Sequence, residues 1–89
     1  MKPQVTSEFR TYLGGLPVKI RDQARAAYAR FRQNPWHPGI HFKKGNDDLN
    51  IYSARVGRQY RAVGIVEGDK IIWFWIGPHG EYDKLLDRI

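Results

Sequence analysis

The chain has no cysteine, so neither disulfides nor thiolate metal sites can reinforce its core. That usage fits a reducing cytosol. It also has no apolar run long enough for a signal peptide or a membrane span, Met1 being followed by Lys2-Pro3-Gln4-Val5, and a cytoplasmic protein is expected. A phosphate-cradling glycine loop and a nucleophilic serine motif are both missing. Gly77-Pro78-His79-Gly80 has glycines without that spacing. The three histidines, His37, His41 and His79, are scattered, with no carboxylate at ligand spacing, so the sequence predicts no metal site and no cofactor.

Acidic residues are scarce: nine Asp and Glu stand against fifteen Lys and Arg, a formal charge of +6. Such an imbalance on a small surface favours a polyanionic partner, nucleic acid first, through phosphate neutralisation and counterion release. A membrane surface fits less well, because no helix pairs a lysine-rich face with a continuous apolar one.

At 89 residues the chain is expected to form a single domain over 1–89. A chain of this size buries somewhat more than ~60% of its unfolded surface, enough for one sheet and a few helices. Thr6 and Ser7 are capping residue types, and Phe9, Tyr12, Leu13 and Leu16 follow at helical spacing, so a short helix should run to Gly14-Gly15. Pro17 suits the first turn of a second helix, with Ile20, Ala24, Ala27, Tyr28 and Phe31 on its apolar face and Arg21, Arg25, Arg30 and Arg32 elsewhere. Asn34-Pro35 stops it, and the pair reads as a helical hairpin covering a sheet.

After an irregular connection at 34–39, four strands are predicted: Ile40 to Lys44, Leu49 to Val56, Tyr60 to Glu67 and Lys70 to Gly77. Gly45-Asn46-Asp47-Asp48 is turn chemistry, and Gly68-Asp69 is a two-residue hairpin loop. That loop sets Glu67 opposite Lys70, Gly64 opposite Trp73, Val63 opposite Phe74 and Ala62 opposite Trp75. A turn at Gly57-Arg58-Gln59 sets Val56 opposite Tyr60 and Arg55 opposite Arg61. One face then carries Tyr52, Ala54, Ala62, Gly64, Trp73 and Trp75 under the helical hairpin. Arg55, Arg61, Val63, Ile65, Ile72, Phe74 and Ile76 fall on the other. Tyr82, Leu85, Leu86 and Ile89 mark a short C-terminal helix, with Glu81 and Asp83 early and Lys84 and Arg88 late, as the helix dipole favours. Two turns of helix cannot hide that second face, and what stays open should bind a partner. The fold class is therefore α+β: a helical hairpin on a four-stranded, mainly antiparallel sheet with a short C-terminal helix.

Arg55 directly across from Arg61 is unfavourable unless an anion lies between them, unless Glu67, Asp47 or Asp48 pairs with one, or unless a bulge at Gly57-Arg58-Gln59 turns one aside. Lys43, Lys44 and Arg58 can extend the same basic surface, or be solvated edge and turn residues. His79, in the loop after the last strand, can act as acid or base near neutral pH, although a loop histidine is more often a surface or capping residue. Tyr82 either packs through its ring or presents its hydroxyl to the same pocket.

With these residues in place the chain resembles the RelE/ParE superfamily of bacterial type II toxin-antitoxin toxins. The resemblance runs from about Glu8 to Leu86 and rests on four features. These are the hairpin ending in Asn34-Pro35, the strand from Tyr52 to Arg55, the Tyr60-Arg61 pair, and the apolar strand entering Ile76-Gly77-Pro78-His79 with Tyr82 downstream. It implies neutralisation by a cognate antitoxin and, in the RelE branch, cleavage of mRNA on the ribosome. Arg61 matches the arginine that holds the scissile phosphate; Arg55, facing it across the strands, is expected to support it. His79 and Tyr82 fall at the proton-transfer positions, and Lys43 and Lys44 match only loosely the basic residues of the preceding strands. Many relatives carry an arginine in or beside the loop where Pro78 and Gly80 flank His79 here. That departure keeps open the ParE branch, which acts on DNA gyrase, and a catalytically inactive antitoxin-binding relative.

Overall fold

The computed structural model describes residues 1–46 and 49–88, with the Asn46 side chain excluded. The expected turn residues Asp47 and Asp48, and the last stripe residue Ile89, lie outside the described residues. Strands β1 (Lys2–Val5), β2 (Lys43–Asn46), β3 (Ile51–Val56), β4 (Tyr60–Glu67) and β5 (Lys70–Pro78) form one sheet in the order β1-β5-β4-β3-β2. Helices α1 (Ser7–Gly14) and α2 (Val18–Gln33) precede β2, and α3 (His79–Arg88) follows β5.

The α+β class stands, but the sheet has five strands, not four. The addition is β1, which pairs parallel to β5 with Lys2 beside Lys70 and Val5 beside Trp73. Nothing in Lys2-Pro3-Gln4-Val5 alternates strongly enough to announce a strand, and its partner lies nearly seventy residues on in the chain. The strand expected from Ile40 to Lys44 is also displaced. Pro38–Ile40 forms a single 3-10 turn, His41 takes a left-handed backbone (φ 49°), and β2 starts only at Lys43. Likewise β3 starts at Ile51 instead of Leu49, and β5 continues through Pro78.

The helical hairpin has the expected boundaries. Thr6 caps α1 by accepting the Phe9 N–H on its Oγ1 at 3.1 Å, and Pro17 sits immediately before α2. Asn34 closes α2, donating its N–H to the Arg30 carbonyl at 2.8 Å. Phe9 and Phe31 bury against Ala54, Val56, Ala62, Trp73 and Ile76 on one face of the sheet. Phe31 meets Trp73 edge-on at 5.4 Å, and Phe42 stacks on Tyr52 at 4.8 Å. A Cβ on Gly64 would stand 2.9 Å from both Ile71 and Trp73, so the close approach of β4 to β5 under the indole requires glycine there.

The β3–β4 register follows the turn-length reading throughout, with Arg55 opposite Arg61 and Val56 opposite Tyr60. The β4–β5 register follows it from Glu67/Lys70 to Gly64/Trp73 and then shifts by one residue. Val63 faces Trp75 instead of Phe74, and Ala62 faces Ile76 instead of Trp75. Phe74 is the extra residue of a bulge, which turns every later side chain to the opposite face. Trp75, expected under the hairpin, joins Phe74 beside α3, while Ile76 enters the hairpin core. The second face is closed by Tyr82, Leu85 and Leu86 of α3 against Ile51 and Val63, leaving Ile65, Ile72, Phe74 and Trp75 half-buried.

Candidate functional site

Arg61 projects from β4 onto the face covered by α3. Its alternation places it with Ser53 and Val63, under the ring of Tyr82. The residue is only 7% exposed, yet no carboxylate among the described residues lies at ion-pair distance. Its charge is met by neutral acceptors. Nε and Nη2 donate to the Ser53 hydroxyl at 3.3 and 2.8 Å, and Nη2 also donates to the His41 carbonyl at 3.2 Å. Tyr82 donates its own hydroxyl proton to the same Ser53 oxygen at 3.2 Å, with its ring 5.3 Å from the Arg61 guanidinium carbon. Burial pushes the Arg61 guanidinium below its ordinary pKa, contact with Tyr82 opposes this, and the field of Arg55 adds to the lowering. An anion at this place would offset both with an opposite charge.

The left-handed backbone of His41 turns its carbonyl to Arg61. Such a conformation costs a non-glycine residue roughly 1–3 kcal/mol and persists only where its surroundings hold it. Ser53 is fully buried, and it is the joint of the whole arrangement. Neither Ser53 nor the His41 carbonyl was picked out from the sequence. A signal for Ser53 did exist: a small hydroxyl on an inward strand position, two residues before Arg55 on the same face. The backbone contact of His41 left none.

The remaining predicted residues are distributed unevenly. His79 opens α3 instead of preceding it in a loop, and its N–H donates to the Gln59 carbonyl at 2.6 Å. This ties the helix start to the β3–β4 turn. The exposed His79 ring lies 5.7 Å from that of Tyr82 and 3.6 Å, Nε2 to Oδ2, from Asp83. Arg61, Tyr82 and His79 are thus drawn into one row, with His79 on the solvent side. Arg55 starts opposite Arg61, but its Nε donates to the Gly57 carbonyl at 2.8 Å, so its guanidinium swings toward the turn. Arg58 is exposed on that turn. The strand pleat divides the two lysines: Lys43 is paired with Ser53 and shares the face of Arg61, whereas Lys44 pairs with Tyr52 and lies 6.0 Å over its ring on the other face. Of the acids considered as partners, Glu67 makes no ion pair among the described residues, and Asp47 and Asp48 fall outside them. No group of His, Asp or Glu among the described residues could hold a metal ion. No helix there is long and apolar enough to cross a membrane.

Residues 18–84 match the family model of a ParE-like toxin domain. A comparison with curated protein sequences finds no match. Among solved structures, the chain is similar to the RelB-RelE antitoxin-toxin complex of Methanococcus jannaschii, with TM-score 0.71, 22% identity, and 92% of this chain and 96% of that one covered. It is also similar to the YoeB/ParE toxin of Agrobacterium tumefaciens, with TM-score 0.69, 14% identity, and 89% and 99% covered. For the RelBE2 toxin-antitoxin complex of Mycobacterium tuberculosis the TM-score is 0.66 at 20% identity, with 86% and 95% covered. At these identities the likeness is one of fold.

Proposed function

The chain belongs to the ParE-like toxin domain family, and from that membership and the Arg61 site we propose that this toxin is a ribosome-dependent, metal-independent mRNA endonuclease acting in the cytoplasm. The observation that carries the reading is a largely buried guanidinium, met only by neutral groups, in a row with a phenol and an exposed imidazole. Its hydrogen bonds among the described residues run through Nε and Nη2 to neutral oxygens, and a phosphate would add the counter-charge they lack. In this reaction the 2′-oxygen of a ribose attacks the adjacent phosphorus, its proton passes to a base, and the bond to the 5′-oxygen breaks as an acid protonates that oxygen. The products are a 2′,3′-cyclic phosphate and a 5′-hydroxyl. Arg61 stabilises the charge that builds on the phosphate, in a site where burial strengthens it. His79, open to solvent, is the first candidate for proton transfer. Tyr82 can join only if its hydroxyl leaves Ser53. The ribosome supplies the substrate alignment that so few groups cannot impose alone.

A cognate antitoxin is the expected partner, since the chains of this fold in Methanococcus jannaschii and Mycobacterium tuberculosis are found in antitoxin complexes. The half-buried Ile65, Ile72, Phe74 and Trp75 offer it apolar surface. A second reading, poisoning of DNA gyrase, draws on the engagement of the Tyr82 hydroxyl by Ser53, which withholds one proton-transfer group.

The test is a purified translation system carrying a defined message. Wild type should cut within codons, and Arg61→Ala and His79→Ala should each lose at least about 100-fold, the usual scale for an oxyanion donor or a general acid or base. Equal cleavage by Arg61→Ala removes the assignment. Absence of any RNA cleavage, with double-strand DNA breaks on induction, replaces it with gyrase.

A further inference from the structure

Between α2, the 3-10 turn and the β3–β4 turn lies an open cavity of about 320 Å³, bordered by Gln23, Arg30, Gly39, Ile40, Arg55 and Gly57. Two arginines are among its lining residues, and no aspartate or glutamate is. Among the described residues neither arginine makes an ion pair; the one on α2 joins Arg25 to Asp22. The Arg55 Nε bond to the Gly57 carbonyl fixes that side chain by its stem and leaves both terminal nitrogens unused among the described residues. Like charges kept at one cavity without a counterion repel, and an anion between them removes the repulsion.

The cavity and the Arg61 site are linked through two strands of the chain. Gly39 and Ile40 line it, and the next residue, His41, gives Arg61 its carbonyl. Arg55 and Arg61 are cross-strand partners whose side chains part, one toward Gly57 and the other toward Ser53. We propose that this cavity is a second phosphate site, in which Arg30 and Arg55 hold a backbone phosphate of the same RNA strand that meets Arg61. The assignment rests on the RNA reading above and adds Arg30, a residue that the helical pattern alone places on a solvated face. It makes Arg55 a binding group separate from the phosphate clamp at Arg61. A strand held at both points is fixed in direction as well as position, because phosphate contacts set the register of a nucleic acid on its protein.

The probe is a 2′-O-methylated single-stranded oligonucleotide, which cannot be cut, with affinity followed by fluorescence anisotropy from 50 to 200 mM salt. Arg30→Gln and Arg55→Gln should each lower the slope of log K against log salt by about 0.7, the value for one lost phosphate contact on a single strand. Over that fourfold salt range, wild type should weaken about 2.6-fold more than either variant. Arg25→Gln removes the same charge from the same helix outside the cavity and should leave the slope unchanged. A slope unaltered in both cavity variants, or lowered equally by Arg25→Gln, overturns the assignment; an acidic protein segment would then be the better occupant. The readout needs neither ribosome nor cleavage. Slope loss without RNA cutting sinks the endonuclease reading alone, and normal cutting without slope loss sinks the second site alone.

Discussion

Replacing Ser53 by alanine deletes one oxygen that three donors share: Nε and Nη2 of Arg61 and the Tyr82 hydroxyl. The methyl group fits the space, so the effect is almost wholly one of hydrogen bonding. Among the described residues, Arg61 then keeps its bond to the His41 carbonyl. Hydrogen bonds to a charged group contribute about 1.5–3 kcal/mol, and a buried hydroxyl left without a partner costs about 1–3 kcal/mol. Taking the lower part of each range, the loss is about 3 kcal/mol. For a domain of this size that lowers the melting temperature by roughly 12–24 °C. Tyr82→Phe alone removes one ordinary hydrogen bond and should cost about 1 kcal/mol. In the double variant no hydroxyl is orphaned, so its cost should fall near 2 kcal/mol, well below the sum of the singles. Urea denaturation of the four proteins measures the cycle. A Ser53→Ala cost under about 1 kcal/mol, or singles that add to within about 0.5 kcal/mol, would refute the shared-acceptor account.

Two further expectations concern the backbone. Gly57 has φ +61°, and a Cβ there would stand against Gln23 Oε1, the end of a side chain that can swing aside. Gly57→Ala should therefore cost about 1–2 kcal/mol, mostly backbone strain, and nearly as much in a Gln23→Ala background, whereas Gly57→Asn should recover part of it; thermal melts showing a neutral Gly57→Ala would contradict this. Deleting Phe74 removes the bulge and leaves Gly64/Trp73 and Val63/Trp75 as successive pairs of a regular ladder. The deletion should keep the fold at a cost of about 2 kcal/mol for the lost side chain, while deleting Ile72 should unfold it. Cross-strand NOEs between β4 and β5 decide the point.

Much of the sheet was readable because hairpin register is a local property. Gly68-Asp69 and Gly57-Arg58-Gln59 are short turns, and turn length alone sets Glu67 against Lys70 and Arg55 against Arg61, whatever the rest of the molecule does. Helix boundaries were readable for the same reason, from Thr6, Pro17 and Asn34. The parallel β1 was not, since its pairing energy comes from a strand far along the chain. The Phe74 bulge was not either. Two adjacent aromatics read as ordinary alternation until α3 offers both of them one apolar face.

By itself, then, the sequence determined the α+β class, the antiparallel core and the opposition of two arginines, all consequences of short-range spacing and chain stiffness. Only the tertiary structure decided what those arginines do. Side-chain direction at a strand position is chosen by whatever packs above it. The arrival of Tyr82 from α3 and of the His41 carbonyl from a left-handed turn draws Arg61 inward to Ser53, and the Gly57 carbonyl draws Arg55 the other way. Two cations that face each other on paper turn to different partners, because solvation and hydrogen bonding act across distances along the chain that local patterning does not span.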